Sequence, residues 1–341
     1  MRKLLLKNVG DGLNLIINNQ RHNDLTVDFG GDENIHCYCY FHDSFMLSYF
    51  HADHYNGILN CRHPHHFHWD LENFYHPAMP TFTEAKQFFI SLLTINIRVS
   101  NNHPIQNTIL DYVRRLNRRP LKFKAVSKGD IVVCGKRKYE ILWPPKELTE
   151  EEALTDIRNA IRDFNEAKES DEQLREIYET VNHRYSEVED INEIEIKNIN
   201  DINELTEFDG ELSEAVQKAN KSLRKAANRL SIAFRQDDNI LFLGDLESSE
   251  IKSLVADLVS NKNVVYDILI AAHHGTHWHR SLEGISVDIC LASIGQTLKS
   301  KIKYEYKSIL GTPFKLTTSG RGKLTNGFAG EDFQFVCIQA V

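Results

Sequence analysis

The stretch Phe45-Met46-Leu47-Ser48-Tyr49-Phe50-His51-Ala52-Asp53-His54-Tyr55-Asn56-Gly57-Ile58 limits what this chain can fold into more than any other. An apolar, aromatic-rich run stops abruptly at two imidazoles and a carboxylate, and small and apolar residues then resume. The run is short and β-prone, which predicts a buried strand. Asp53 is a good N-cap for a helix over the residues that follow. His51, Asp53 and His54 are therefore expected in the turn where strand hands over to helix, with His51 and Asp53 on one side of an extended chain. Neutral imidazole and carboxylate are ligands for zinc, and also for manganese or iron. Taken alone, the stretch has a plainer alternative, a polar turn that happens to hold two histidines.

Composition decides which partners are worth considering. The length of 341 residues leaves ample material for a core, and a hydrophobic share of 41% with 26% charged residues describes an ordinary globular chain. A formal net charge of -8 argues mildly against indiscriminate polyanion binding while leaving room for a local basic patch. The leucines at 4–6 are too few for a signal-peptide core, and no apolar run has membrane-spanning length. A cytoplasmic location without a membrane partner is expected. Cys37, Cys39, Cys61, Cys134, Cys290 and Cys337 form no CxxC pair and read as reduced core thiols.

Histidine is the unusual residue: most of the 16 fall between His36 and His76, and His273, His274, His277 and His279 form a second cluster. Two clusters so far apart in sequence suggest two sides of one site. Before the first cluster, Leu13–Ile17 and Leu25–Gly31 read as strands, and Asp28 at the end of the second is placed to orient a neighbouring turn. The histidine-dense loop over 61–70 is irregular around Pro64. Helical periodicity covers 81–118, where Arg114, Arg115, Arg118 and Arg119 make the most basic patch, read as a solvated face or as a phosphate contact. Strands return over 123–142 and end at Trp143-Pro144-Pro145.

From 146 to 222 the chain becomes charge-dense, mostly acidic and nearly free of glycine and proline, the pattern of a helical insertion that covers the domain or docks a partner through 147–211. Beyond it, Ile240–Leu243 stops at Gly244-Asp245, and a long apolar strand from Val264 stops at His273-His274. Three predicted strand ends thus carry metal-type ligands: His51-Ala52-Asp53-His54, Asp245 and His273-His274. Ligands on one rim of a sheet are how α/β folds build sites.

In these motifs the chain resembles the metallo-β-lactamase fold superfamily, and within it the soluble domain of ComEC-type competence proteins. Tyr49-Phe50-His51-Ala52-Asp53-His54 matches the HxHxDH signature except at Tyr49. Leu243-Gly244-Asp245 resembles the bridging-aspartate motif, His273-His274-Gly275-Thr276 the His-His-Gly-Ser signature, and Asn228-Arg229-Leu230-Ser231 the subgroup's Asn-x-x-Ser. Leu25–Gly31 looks like the first strand with its Asp-x-Gly turn, and Trp143-Pro144-Pro145 like the subgroup's Pro-Pro. The likeness spans about 10–145 and 225–340.

This resemblance implies a single αββα domain over 1–341, a four-layered sandwich interrupted by the 146–222 insertion. It implies metal ligation by His51, Asp53, His54, Asp245, His273 and His274, either of the last two coordinating while its neighbour orients it or touches substrate. The ion is zinc, with manganese as the alternative, and Tyr49 in place of a ligand histidine predicts one ion, or one with a weak second. Asp53, Asp245 and Tyr49 are the candidates for catalysis, Tyr49 as hydrogen-bond donor or simply as a packed phenol. Asn228 and His277 are assigned to substrate. The chemistry implied is hydrolysis by hydroxide made available at neutral pH on a metal. A phosphodiesterase or nuclease acting on nucleic acid or nucleotides leads. A hydrolase of esters, lactones or amides, and a catalytically degenerate metal-binding partner protein, are the alternatives.

Overall fold

Two apolar patterns set the architecture. Stretches such as Ile240–Phe242 are apolar throughout, as strands covered on both faces must be, and all three residues are buried. Ile131–Cys134 instead alternates exposed and buried positions, the period-two pattern of a strand with one wet face.

A computed structural model describes residues 2–7, 9–18, 25–31, 41–59, 69–99, 108–188, 190–193, 211–237, 239–260, 265–309, 314–316, 324–327 and 333–337. Strands β1 (Arg2–Leu6), β2 (Leu15–Asn18), β3 (Leu25–Val27) and β4 (Phe41–Met46) lead to helix α1 (Ala52–Leu59). Next come β5 (Trp69–Pro77), α2 (Ala85–Val99), α3 (Ile109–Leu116), β6 (Lys122–Val126), β7 (Ile131–Cys134) and β8 (Arg137–Trp143). Helices α4 (Glu151–Ser170), α5 (Glu172–Arg184) and α6 (Glu214–Asn228) follow, then β9 (Ala233–Gln236), β10 (Ile240–Phe242), α7 (Ser248–Val259) and β11 (Val265–Ile270). The last strands are β12 (Ser286–Ala292), β13 (Phe314–Leu316), β14 (Leu324–Gly327) and β15 (Phe333–Cys337).

The strands form two mixed sheets, an 8-stranded one in the order β14-β15-β1-β2-β3-β4-β5-β6 and a 7-stranded one in the order β13-β12-β11-β10-β9-β8-β7. Pairing is parallel from β3 through β6 and from β10 through β13. The sheets share one core, in which Leu4, Leu15, Val27 and Met46 meet Val132, Ile141, Phe242 and Ile270. On the far side of the first sheet, Phe45, Leu47 and Phe74 pack with α2 and α4–α6; on that of the second, Leu241 and Leu269 pack with α7. Each fully buried Leu or Phe contributes about 1.5–3 kcal/mol, so these shared cores dominate the stability. The chain is a mixed α/β sandwich.

The helical reading of 146–222 matches α4, α5 and the first half of α6; residues 194–210 lie outside the described part. These helices are charge-rich because each buries only one stripe: Ala153, Ile157 and Phe164 of α4, Leu174 and Ile177 of α5, and Val216 and Leu223 of α6 join the core of α2. Buried Arg229 ties the bundle to the second sheet, pairing with Glu152 and Asp156 of α4 and with buried Glu250 of α7, each at 2.7 Å. Strand β5 has no clean sequence pattern, since its pairing with β4 shifts register between Asp43 and Ser44 and breaks the alternation. Among the described residues no helix is long and apolar enough to cross a membrane.

Candidate metal centre

The ends of β3, β4, β10 and β11 meet on one rim. The Ile232 amide donates to the Ser48 carbonyl at 2.8 Å, joining the two sheets, and the His273 amide donates to the Gly244 carbonyl at 2.9 Å. Gly30 lets the first turn close: a Cβ there would lie 1.6 Å from the Asp53 carbonyl oxygen, a position only glycine tolerates. Helix α1 begins at Ala52, so Asp53 falls in its first turn rather than at the N-cap. The carboxylate and His54 consequently point off the helix start toward Asp245.

Three ligand atoms, from Asp53, His54 and His274, lie within 4.8 Å of one another. His54 Nδ1 is held at 2.8 Å by the Asp28 carboxylate, itself fixed by the Ser48 amide at 2.7 Å and by the Ser48 hydroxyl. Asp28 itself lies in the left-handed region, at φ 56. This leaves His54 Nε2 facing Asp245 Oδ2 at 3.1 Å and Asp53 Oδ1 at 3.7 Å. His274 Nδ1 is bonded to the Ser293 carbonyl at 2.9 Å, which puts its hydrogen there and an acceptor lone pair on Nε2. That Nε2 is buried, stands 3.9 Å from Asp53 Oδ2, and has no hydrogen-bond partner among the described residues. An orphaned buried lone pair costs about 1–3 kcal/mol, and a cation shared with Asp53 and His54 would satisfy it. The donor set therefore fits zinc.

Electrostatics agree. Burial works to raise the Asp53 and Asp245 carboxyls, but the facing imidazoles outweigh it and hold both well below the usual range. Burial disfavours charge on His54, yet Asp245, Asp28 and Asp53 push its pKa well above the ordinary value. The excess negative charge around His54 is what a bound cation would neutralise.

His273 and His274 take φ 45 and φ 58, two consecutive non-glycine residues in the left-handed region, each costing of the order of 1–3 kcal/mol. The Tyr306 hydroxyl accepts from the Ala272 amide at 3.0 Å, and the Thr276 amide donates to the His273 carbonyl at 2.9 Å, holding the kink. The strain turns His274 inward and His273 toward the rim. His273 Nε2 lies 3.8 Å from Asp245 Oδ2, and its Nδ1 is 3.0 Å from His277 Nε2. A second convergent group results: Glu247, His273 and His277. Burial, partly opposed by Asp245, lowers His273 to about 3, so its imidazole is neutral.

Other expected residues fall differently. Tyr49 is buried edge-on to His54, and its hydroxyl donates to the Arg224 carbonyl, so it is the packed phenol and offers its hydrogen to no ligand. Burial raises its pKa well above the ordinary value and keeps it protonated. His51 belongs to neither convergent group; its Nδ1 is engaged by Asp53. Asn228 is buried and bonds Glu247 Oε1 at 3.1 Å, which makes it a support for that carboxylate.

The arginine patch is at the wrong end. Arg118 donates its amide to Trp69, which pairs with Phe41 at the start of β4, whereas His51 lies past its far end. β4 alone spans roughly 17 Å at the usual rise. The histidines at 63–68 lie outside the described residues. The basic group that does reach the site is Arg224 of α6, with Nη2 at 3.7 Å from Asp53 Oδ2 and a side chain 44% exposed. Only its position in a charge-dense helix was legible, so nothing in the sequence singled it out.

No model of a known protein family matches the chain, and no curated protein matches it in sequence.

Proposed function

We propose that this protein is a metal-dependent hydrolase of the metallo-β-lactamase fold, nearest to the ComEC-type subgroup, that cleaves phosphodiester bonds in nucleic acid or nucleotides. Two packed sheets with helices outside each suit the four-layered αββα form of that fold. The reading is carried by one observation: the buried, unpartnered His274 Nε2 converges with Asp53 and His54 beside Asp245.

Asp53, His54, His274 and Asp245 would hold the ion, zinc or manganese. When bound, such an ion lowers the pKa of water from 15.7 toward ~7 and polarises a phosphoryl oxygen. The chain supplies orientation. Asp28 and the Ser293 carbonyl fix the tautomers of His54 and His274, so both Nε2 atoms keep their lone pairs for the ion. Tyr49 and the closed turn at Gly30 keep the rear of the site packed. Arg224, half-exposed beside Asp53, is placed to hold an anionic substrate, which favours phosphodiesters over neutral esters.

The degenerate-partner alternative rests on Tyr49 and the helical segment. The apolar stripes of α4–α6 are used inside the fold, so a partner docking on the described helices of this segment would meet charged faces. The test is a panel of single-stranded DNA, RNA and bis-p-nitrophenyl phosphate with added zinc or manganese. Turnover by wild type that collapses in Asp245→Ala is expected; equal turnover in both would overturn the proposal.

A further inference from the structure

Outside the buried group, the partly exposed cluster at the start of α7 has no role in the chemistry above. We propose that Glu247, His273 and His277 form a second metal-ion site, selective for zinc, at the mouth of the centre. The inference rests on the metal-centre reading only for its purpose, since its ligands are separate side chains.

The geometry is that of a ligand set. Two imidazoles and a carboxylate, with a position left open to water, is the make-up of hydrolytic zinc sites. Ligand atoms roughly 2.0–2.1 Å from a tetrahedral zinc lie about 3.3 Å apart. Here His273 Nδ1 and His277 Nε2 are 3.0 Å apart, one ligand atom from each of the three residues lies within 4.8 Å of the others, and Glu247 Oε2 is 3.4 Å from His277 Nδ1. All three side chains are about one-fifth exposed, at 20–21%, so an ion can enter and keep a water.

The supporting contacts are those that metal ligands require. His277 Nδ1 is 3.1 Å from the Leu246 carbonyl; donating there fixes its hydrogen and frees Nε2 toward His273. His273 turns its other nitrogen toward Asp245, so its Nδ1 carries the lone pair. The Asn228 amide donates to Glu247 Oε1 at 3.1 Å, leaving Oε2 for the ion. Two imidazoles meet nose to nose beside a carboxylate, on a backbone strained at His273, an arrangement that a shared cation would account for. A cation there adds positive charge at the mouth, the sign a phosphodiester needs. It also supplies a second ion by a route that does not involve position 49, where the motif lacks its histidine.

The test is zinc content by mass spectrometry after chelation, reloading and gel filtration, with circular dichroism as the check on folding. Wild type is expected to hold about two equivalents, and Glu247→Gln and His277→Ala about one. His54→Ala is expected to lose the buried ion and keep the other. Cobalt substitution gives a second readout, visible absorption that loses one component in Glu247→Gln. One equivalent in wild type, lost in His54→Ala and untouched in Glu247→Gln, would overturn the second site and leave the proposed function standing. One equivalent lost in Glu247→Gln but kept in His54→Ala would support the second site and remove the buried centre. No bound zinc in wild type would overturn both.

Discussion

Asp53, His54 and His274 sit among partners that each fix one edge of a ring or carboxylate, with the two imidazole side chains 0% and 1% exposed and Asp53 alone reaching water, at 22%. Glu247, His273 and His277 offer the same kinds of atom at similar spacing but stand about one-fifth in water. Burial makes the first group an electrostatic problem that a cation would relieve, because three carboxylates crowd one imidazole in a low-dielectric pocket. Hydration makes the second group tolerable without its ion. A deep centre that must be filled and a rim site that exchanges are the expected consequence.

The variant that breaks this contrast most strongly is Asp53→Ala. Phosphodiester hydrolysis should fall about 10³-fold or more, roughly 4 kcal/mol of barrier, while Glu247→Gln costs about tenfold. Initial rates on bis-p-nitrophenyl phosphate at saturating zinc measure both. Equal losses would mean that depth does not separate the two groups.

How much of this could be read from the chain follows from where polarity switches. Leu243-Gly244-Asp245 and Ala272-His273-His274 stand out because apolar strands end abruptly in ligands, and the same switch marks His51 to His54. Glu247 is invisible by that criterion, being an ordinary acidic residue entering a helix that meets His277 only because the backbone kinks at His273 and His274. Arg224 is hidden for the opposite reason, as one charge among many in α6. The basic run at Arg114–Arg119 misled because sequence carries charge but not which end of a strand it reaches. In the fold, α2, α7 and most of the second sheet follow from periodicity, while β5 does not, its alternation being broken by a register shift.

His76 sharpens the contrast from a third position, since it is a buried imidazole with no carboxylate or cation to meet among the described residues. Burial, opposed by a 3.2 Å bond to the Pro77 carbonyl, lowers its pKa to about 4. The unfolded imidazole titrates near 6.5, so between pH 6.5 and about 4 the unfolded chain binds a proton that the folded one refuses. This contribution to stability is complete above pH 6.5 and falls as pH drops, by up to roughly 3 kcal/mol. Urea midpoints at pH 7.5 and 4.5 should converge in His76→Phe, which suits the neighbouring Phe50 ring. If wild type and variant lose the same amount, the acid sensitivity belongs to the metal-type groups instead.

The braces of the two groups should differ in the same sense as the groups. Asp28→Asn weakens the hold on the His54 tautomer inside the fold and should cost 10–100-fold in affinity for the buried zinc, about 1.4–2.7 kcal/mol. Asn228→Ala frees a carboxylate that water can restrain, and should cost under about tenfold at the rim. Zinc competition with a chromophoric chelator resolves the two sites. A larger loss from Asn228→Ala would reverse the assignment of depth to stability of binding.

The smallest effect concerns substrate rather than metal. Arg224 reaches across the rim to Asp53 at 3.7 Å with 44% of its side chain in water. An exposed pair of that kind is worth at most about 1 kcal/mol, so its loss should leave the fold intact. An ion held by Asp53 would neutralise the carboxylate and leave the guanidinium free for an incoming phosphate. Arg224→Gln should therefore raise KM for bis-p-nitrophenyl phosphate about tenfold with little change in kcat, the signature of lost uniform binding. A neutral p-nitrophenyl ester should be cleaved, if at all, at a rate the substitution does not alter. An equal rise in KM for both substrates would show that Arg224 shapes the pocket through the Tyr49 contact to its carbonyl, and that charge at the rim does not select the substrate.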